Sequence, residues 1–291
     1  MAVNTATAFS KKVDERFHLG SIVLPGLNND YKITGEKTVK VYSIPTVAMT
    51  DYDREGTNDS TTALHRYGIP ANLGNNVQDL IMTKDRAFSF IIDRADYEQT
   101  QHVMAIGKAL QRQLDEVIVP EYDKYVLDKL ARGAKNKDNT GATSANAYDL
   151  FLAAQEAISD EEAPLAGRIC FCTQGFYNKV SKLNGAFRRH GDLSQKQLAS
   201  GFLGDVDGVK MILVPKNRMP KVTASGSTTY ADFILTNPIA ATGPKQLWEY
   251  KVHDNPPGIS GWLAEGRFLY DCFVLNNKKG AIFYQGPTLA A

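Results

Sequence analysis

The stretch Asp93–Gly133, "DRADYEQTQHVMAIGKALQRQLDEVIVPEYDKYVLDKLARG", decides how the chain is read. Its apolar residues fall at Val103, Ile106, Leu110, Leu114 and Val117, then at Ile118, Tyr122, Tyr125, Val126 and Leu130. The gaps are threes and fours apart from adjacent pairs, which marks one apolar stripe along a helix. Asp96 is the expected N-cap and Arg132-Gly133 the expected stop. Pro120 removes a backbone donor and is expected to kink the helix or break it locally. Lys124 and Asp128 stand at i,i+4, as do Glu121 and Tyr125; the charged pair supports the helix by a few tenths of a kcal/mol at most. At its rise per residue such a helix spans roughly 54 Å, longer than a small domain is wide. It therefore predicts a spine across which other elements are laid.

Before the helix, "KTVKVYSIPTV" (Lys37–Val47) reads as a strand interrupted by Pro45, and "VQDLIMTKDRAFSFIID" (Val77–Asp93) as one or two strands. Between them lie about 25 polar residues, long for a loop in a compact domain, so an arm projecting off the body is expected. Residues 1–30 are polar and irregular; "SIVLPGLNNDY" has little core-forming pattern and reads as an extended arm needing outside support. After the helix, "NAYDLFLAAQEAIS" (Asn146–Ser159) predicts an amphipathic helix, "GRICFCTQ" a strand and "QGFYNKVSKL" a further helix. "GDVDGVKMILVP" and "YADFILTNPIAA" each supply a strand, which makes a mixed α/β lobe. "GWLAEGRFLYDCFVLNNKKGAIFYQ" reads as two strands joined as a hairpin through Asn276–Gly280.

The 291 residues, 43% hydrophobic, suffice for a real core. Lys+Arg is 33 and Asp+Glu 32, a balance that argues against a dedicated nucleic-acid binder but not against a protein that encloses nucleic acid. Cys170, Cys172 and Cys272 are no disulfide framework; Cys170 and Cys172 share a strand face as small buried hydrophobes, in keeping with folding in a reducing cytoplasm. The N-terminus carries no signal-peptide pattern, and no run of about 18 apolar residues predicts a membrane span.

Searching for chemistry returns little. Phosphate-loop, dinucleotide, zinc-protease and serine-elbow motifs are all missing, and His18, His65, His102, His190 and His253 show no metal spacing. In "DYDREGTNDSTT", Asp51, Asp53, Glu55 and Asp59 follow the start of a calcium loop, but Thr62 stands where a bidentate Glu is needed. The simpler reading is a solvated acidic tip turning at Gly56. Lys179, Lys182, Arg188, Arg189 and His190 form the basic cluster, which could touch phosphates, face solvent or pair with an acidic neighbour. No catalytic residue, metal ligand or cofactor site is assigned.

"MTKDRAFSFIIDRADYEQT", "VIVPEYDKYVLDKLA" and "GWLAEGRFLYDCFVLNNKKGAIFY", in that order, resemble major capsid proteins of tailed bacteriophages, which have the Hong Kong 97-type shell fold. The resemblance covers most of residues 36–285 and is strongest over Lys84–Ala131 and Gly261–Tyr284. It implies an α+β fold with an N-terminal arm at 1–35 and an extended two-stranded loop at 36–90. The peripheral domain with its spine helix would take 91–135 and an α/β axial domain 136–245. The C-terminal strands, 246–291, would return to the peripheral domain. It implies a structural protein, not an enzyme, that assembles in the host bacterial cytoplasm into hexamers and pentamers of an icosahedral virion shell. The partners implied are copies of itself, a separate scaffolding protein, a portal and packaged double-stranded DNA held non-specifically; no membrane or cofactor is implied. Asp51, Asp53, Arg54, Glu55, Asp59 and Arg66 on the extended loop become candidate inter-subunit contacts. Lys179, Lys182, Arg188 and Arg189 become candidate weak phosphate or subunit contacts. An encapsulin-like compartment enclosing protein cargo is the alternative, and an enzyme or small-ligand binder built on the α/β lobe the third reading.

Overall fold

In a computed structural model the described residues are 21–28, 38–54, 66–67, 72–99, 106–181, 202–224 and 226–289. Their strands, in chain order, begin with β1 (Thr38–Ser43), β2 (Asn76–Ile81) and β3 (Lys84–Asp93). Helices α1 (Arg94–Gln99), α2 (Ile106–Gln113) and α3 (Val119–Gly133) follow, with a π-helical turn, Leu114–Ile118, between the last two. Next come β4 (Asn136–Asp138), α4 (Ala147–Asp160), β5 (Ile169–Cys172) and α5 (Gln174–Ser181). Then β6 (Phe202–Val206), β7 (Val209–Leu213), β8 (Lys221–Ala224), β9 (Ser227–Tyr230) and β10 (Phe233–Thr236). The chain closes with β11 (Ala241–Thr242), β12 (Lys245–Asp254), β13 (Gly261–Tyr270), β14 (Phe273–Val274) and β15 (Ile282–Gln285).

The chain divides into two units, one of Met1–Gly35 with Met82–Ala291 and one of Glu36–Ile81. The first is organised by the six-stranded mixed sheet β4-β15-β10-β5-β7-β6. Its strands β15, β10 and β5 are buried along their whole length and mostly apolar because both faces are covered. Ile169, Phe171, Ile212, Ile234, Ile282 and Tyr284 point into a core shared with Tyr122, Val126, Leu127 and Leu130 of α3. Cys170, Cys172, Met211, Phe233, Leu235 and Phe283 point the other way, onto Phe151 and Ile158 of α4 and Phe176 of α5. Alternation along "ICFC" thus feeds two cores from four residues, and the cysteines are small buried hydrophobes as the spacing predicts. The same unit also holds a three-stranded antiparallel sheet, β12-β13-β3, and the two-stranded pairs β8-β9 and β11-β14.

The helical run Ile106–Gly133 is continuous, while residues 100–105, Val103 among them, lie outside the described residues. The cap at its approach is Asp93, not Asp96: its Oδ1 accepts the Ala95 N–H at 2.8 Å. Pro120 is accommodated by the π turn ahead of it, where the Val119 N–H reaches back five residues to the Leu114 carbonyl. Asp128 pairs with Arg132 at 2.7 Å and not with Lys124, and Glu121 pairs with Arg86 at 2.9 Å. Gly133 is still helical; a Cβ there would come within 2.6 Å of Val274.

Three further expectations are corrected. The C-terminal strands form no hairpin: β13 lies between β12 and β3, whereas β15 joins β10 and β4 in the other sheet. "GDVDGVKMIL" is two strands, because Asp207 and Gly208, with φ of 48° and 79°, make the tight turn that pairs Val206 with Val209. In "SIVLPGL", Ile22, Val23 and Leu27 are buried in this chain's own core, so that piece needs no neighbour to cover it.

Candidate functional site

The second unit is built on the antiparallel ladder β1–β2, from Thr38↔Ile81 to Ser43↔Asn76. Beyond the ladder, the Asp53 N–H donates to the Arg66 carbonyl at 3.0 Å and Thr50 Oγ1 to the Tyr67 carbonyl at 3.0 Å. The Tyr52 and Tyr67 rings meet edge-on at 4.9 Å. The polar excursion is therefore gathered at its limbs, and Asp51, Asp53, Arg54 and Arg66 are brought to one region, with Asp51, Arg54 and Arg66 exposed. Glu55 and Asp59 lie outside the described residues. Large apolar side chains stand in water on this unit: Ile44 is 75% exposed, Met49 100% and Tyr67 84%.

Of the basic cluster, Lys179 is described and Lys182, Arg188 and Arg189 are not. Its ammonium donates to the Ala142 carbonyl at 2.7 Å, so part of its hydrogen-bonding capacity serves the fold. His253 faces Glu265 at 3.3 Å on the exposed side of β12 and β13. Among the described residues no group of three His, Cys, Asp or Glu could hold a metal ion, and no helix is long and apolar enough to cross a membrane.

Three buried polar centres escape the sequence reading. Asp123, at 0% exposure, accepts from Arg218 at 2.8 Å, from Ser21 Oγ at 2.7 Å and from the Ile22 N–H at 3.2 Å. Asp271 accepts from the Thr83 N–H, Thr83 Oγ1, the Cys272 N–H and Tyr125 Oη, the last at 2.6 Å. Burial first, and this bond second, raise the Tyr125 phenol well above its usual range, so it stays a donor. Among the described residues Arg168 has no carboxylate partner; it donates to the carbonyls of Gln155, Ala163 and Pro164 and to Ser159 Oγ, closing the C-terminus of α4. All three hold elements of the fold together.

No protein-family model and no curated relative matches the chain. Solved structures do. The chain is similar to a structure of Mycobacterium phage Che8 at 15% identity, over 96% of each chain, with a TM-score of 0.70. It is similar to a chain in the asymmetric unit of bacteriophage PhiM1 mature capsid at 11% identity, over 98% of this chain and 93% of that one, with a TM-score of 0.67. A virus-like particle from Pyrococcus furiosus matches at 12% identity, over 91% and 92%, with a TM-score of 0.52. At these identities the likeness establishes the fold: the chain has an α+β capsid fold along nearly its whole length.

Proposed function

We propose that this protein is a major capsid protein that assembles into hexamers and pentamers of an icosahedral shell around double-stranded phage DNA. The observation that carries this is the end-to-end match to phage structures, the PhiM1 mature capsid among them. The physical support is the exposed apolar surface of the Glu36–Ile81 unit, whose two-stranded ladder is marginal alone. Covering that surface with a neighbouring copy would make ordering and association one event. In this reading residues 1–35 are the N-terminal arm, 36–90 the extended loop and 91–135 the peripheral domain with its spine helix. The axial domain takes 136–245, and 246–291 are strands returning to the periphery. The role is structural and without catalysis, located in the virion, with a scaffolding protein and a portal as further partners.

Electron microscopy of purified protein across a concentration series tests this. Hexamers, rings or closed shells are expected, and deletion of residues 51–75 should abolish closed shells while leaving a folded subunit. A deletion variant that closes normally would overturn the role given to the loop. The second reading is a compartment enclosing protein cargo; the virus-like particle from Pyrococcus furiosus shares the fold at a TM-score of 0.52, and the phage matches, at 0.70 and 0.67, favour the first reading. Nucleic acid inside purified particles supports the phage reading; a cargo enzyme in its place supports the other.

A further inference from the structure

Strand β12 (Lys245–Asp254) is ten residues long and forms one edge of the sheet β12-β13-β3. Two bonds fix which way its backbone groups point. The Asn255 N–H donates to the Gly261 carbonyl at 2.8 Å, and the Arg94 N–H to the Ser260 carbonyl at 3.0 Å. Asp254 stands opposite Trp262, and Gly261 opposite Asp93. Alternation along an antiparallel ladder then assigns the odd-numbered residues of β12 to bonds with β13, and the even-numbered residues of β13 to bonds with β3. The N–H and C=O groups of Trp248, Tyr250, Val252 and Asp254 therefore point away from β13, and no strand among the described residues takes them up. The side chains of Tyr250 and Val252 are exposed on one face of the strand, and those of Glu249 and Lys251 on the other. A long, exposed and unpaired edge is a template for another strand.

We propose that β12 pairs antiparallel with β12 of a second copy of this chain, about a two-fold axis through Tyr250. A two-fold contact has to be self-complementary. Outward-pointing groups must also meet outward-pointing groups, so the axis passes through a residue and not between two. Centring it on Glu249 or Lys251 sets a charge against its own copy, and centring it on Val252 sets Lys251 against His253. Centring it on Tyr250 sets Glu249 against Lys251 of the second copy, and Lys251 against its Glu249. Val252 then stands opposite Trp248, and the two Tyr250 residues exchange backbone bonds across the axis. Within one chain Lys251 Nζ lies 3.7 Å from Glu249 Oε1 with both side chains more than half exposed, a loose pair that the contact between copies can replace. The pairing joins two three-stranded sheets into one of six strands. It does not rest on the shell reading, because it can link two free subunits or sit on a two-fold axis of a shell.

Cysteine cross-linking of the full chain tests the register. In Tyr250→Cys the two substituted positions form a hydrogen-bonded pair with Cα atoms about 5.5 Å apart, within reach of a disulfide. In Val252→Cys they are four residues out of register, about 14 Å apart along the strands and out of reach. Cys170, Cys172 and Cys272 are buried and stay out of the reaction. Oxidation with diamide at protein concentrations up to roughly 1 mM should give a disulfide-linked dimer from Tyr250→Cys, and at least about tenfold less from Val252→Cys. Charge reversal is the second measurement, read as the dimerisation constant in sedimentation equilibrium with Tyr250 in place. Glu249→Lys should weaken dimerisation about tenfold, and so should Lys251→Glu, while the double reversal Glu249→Lys/Lys251→Glu should restore it. No dimer from Tyr250→Cys, equal yields from the two cysteine variants, or a double reversal no better than either single one overturns the pairing. The cross-link without particles in microscopy would count against the shell reading and leave the pairing standing; particles without the cross-link would do the reverse.

Discussion

Asp123 sits at 0% exposure in the middle of α3, where a sequence alone reads a helix-surface charge. Its partner Arg218 is 95 residues away, so no local spacing announces the pair. Only the fold brings them together, with Ser21 and Ile22 closing the remaining oxygen valences. Removing one partner of a buried pair leaves an uncompensated charge, so Arg218→Met should lower stability by about 3–5 kcal/mol in urea denaturation. The double variant Asp123→Asn/Arg218→Met should recover much of that loss; no recovery would mean that the guanidinium stem, not the charge pair, matters at this position. The carboxyl is raised above its ordinary 3.8, because burial outweighs the bonds from Ser21, Ile22 and Arg218. The folded chain therefore keeps this proton to higher pH than the unfolded chain. The contribution to stability is greatest below about pH 4 and declines as pH rises through the folded value. Asp123→Asn does not titrate, so the stability of the wild type relative to this variant should decline with rising pH in matched melts. A relative stability that grew with pH would overturn the burial argument.

Among the elements, the long helix shows how far periodicity reaches. Leu110, Ile118, Tyr122, Val126 and Leu130 are buried as the stripe predicts, and Leu114 is half-buried. Val117, however, is 47% exposed, and Leu127, outside the predicted stripe, is fully buried. The π turn at Leu114–Ile118 inserts the equivalent of one residue, which rotates everything after it about the axis. A pattern read at constant pitch cannot contain that rotation. Leu130→Ala should therefore lower stability by about 2–5 kcal/mol, whereas Val117→Ala should stay within about 0.5 kcal/mol. Equal effects would place the helix face wrongly. Gly133 tests packing at the other end: Gly133→Ala drives a methyl into Val274 and should cost about 1–3 kcal/mol, relieved when Val274→Ala is added. The expected C-terminal hairpin does not form, for a related reason. "FLYDCFVLNNKKGAIF" has the turn residues of a hairpin, but pairing partners are chosen by the whole fold, and β15 finds β10 and β4.

At the scale of the whole molecule, the order of elements carried the fold into view, because a strand pair, a polar excursion, a long helix and an α/β lobe in that sequence constrain topology more than any side chain does. Residue chemistry stayed silent, since the contact surface proposed for the Glu36–Ile81 unit would need shape and apolar exposure and no particular catalytic group. The surface itself is visible only in three dimensions: Ile44 and Met49 are ordinary apolar residues in the sequence, and 75% and 100% exposed in the fold. If neighbouring copies cover them, each buried side chain contributes about 1.5–3 kcal/mol to every contact it joins. Ile44→Ser/Met49→Ser should then leave the stability of the isolated subunit in urea within about 0.5 kcal/mol of wild type, since both side chains are largely exposed within one chain. The same variant should raise the protein concentration at which particles first appear, by about tenfold or more, in light scattering. A closed shell repeats each contact many times, so even a modest loss per contact should show as a sharp shift of that threshold. Particles that form at the wild-type threshold would mean that Ile44 and Met49 stay in water after assembly, and the contact would then have to be sought elsewhere on the Glu36–Ile81 unit.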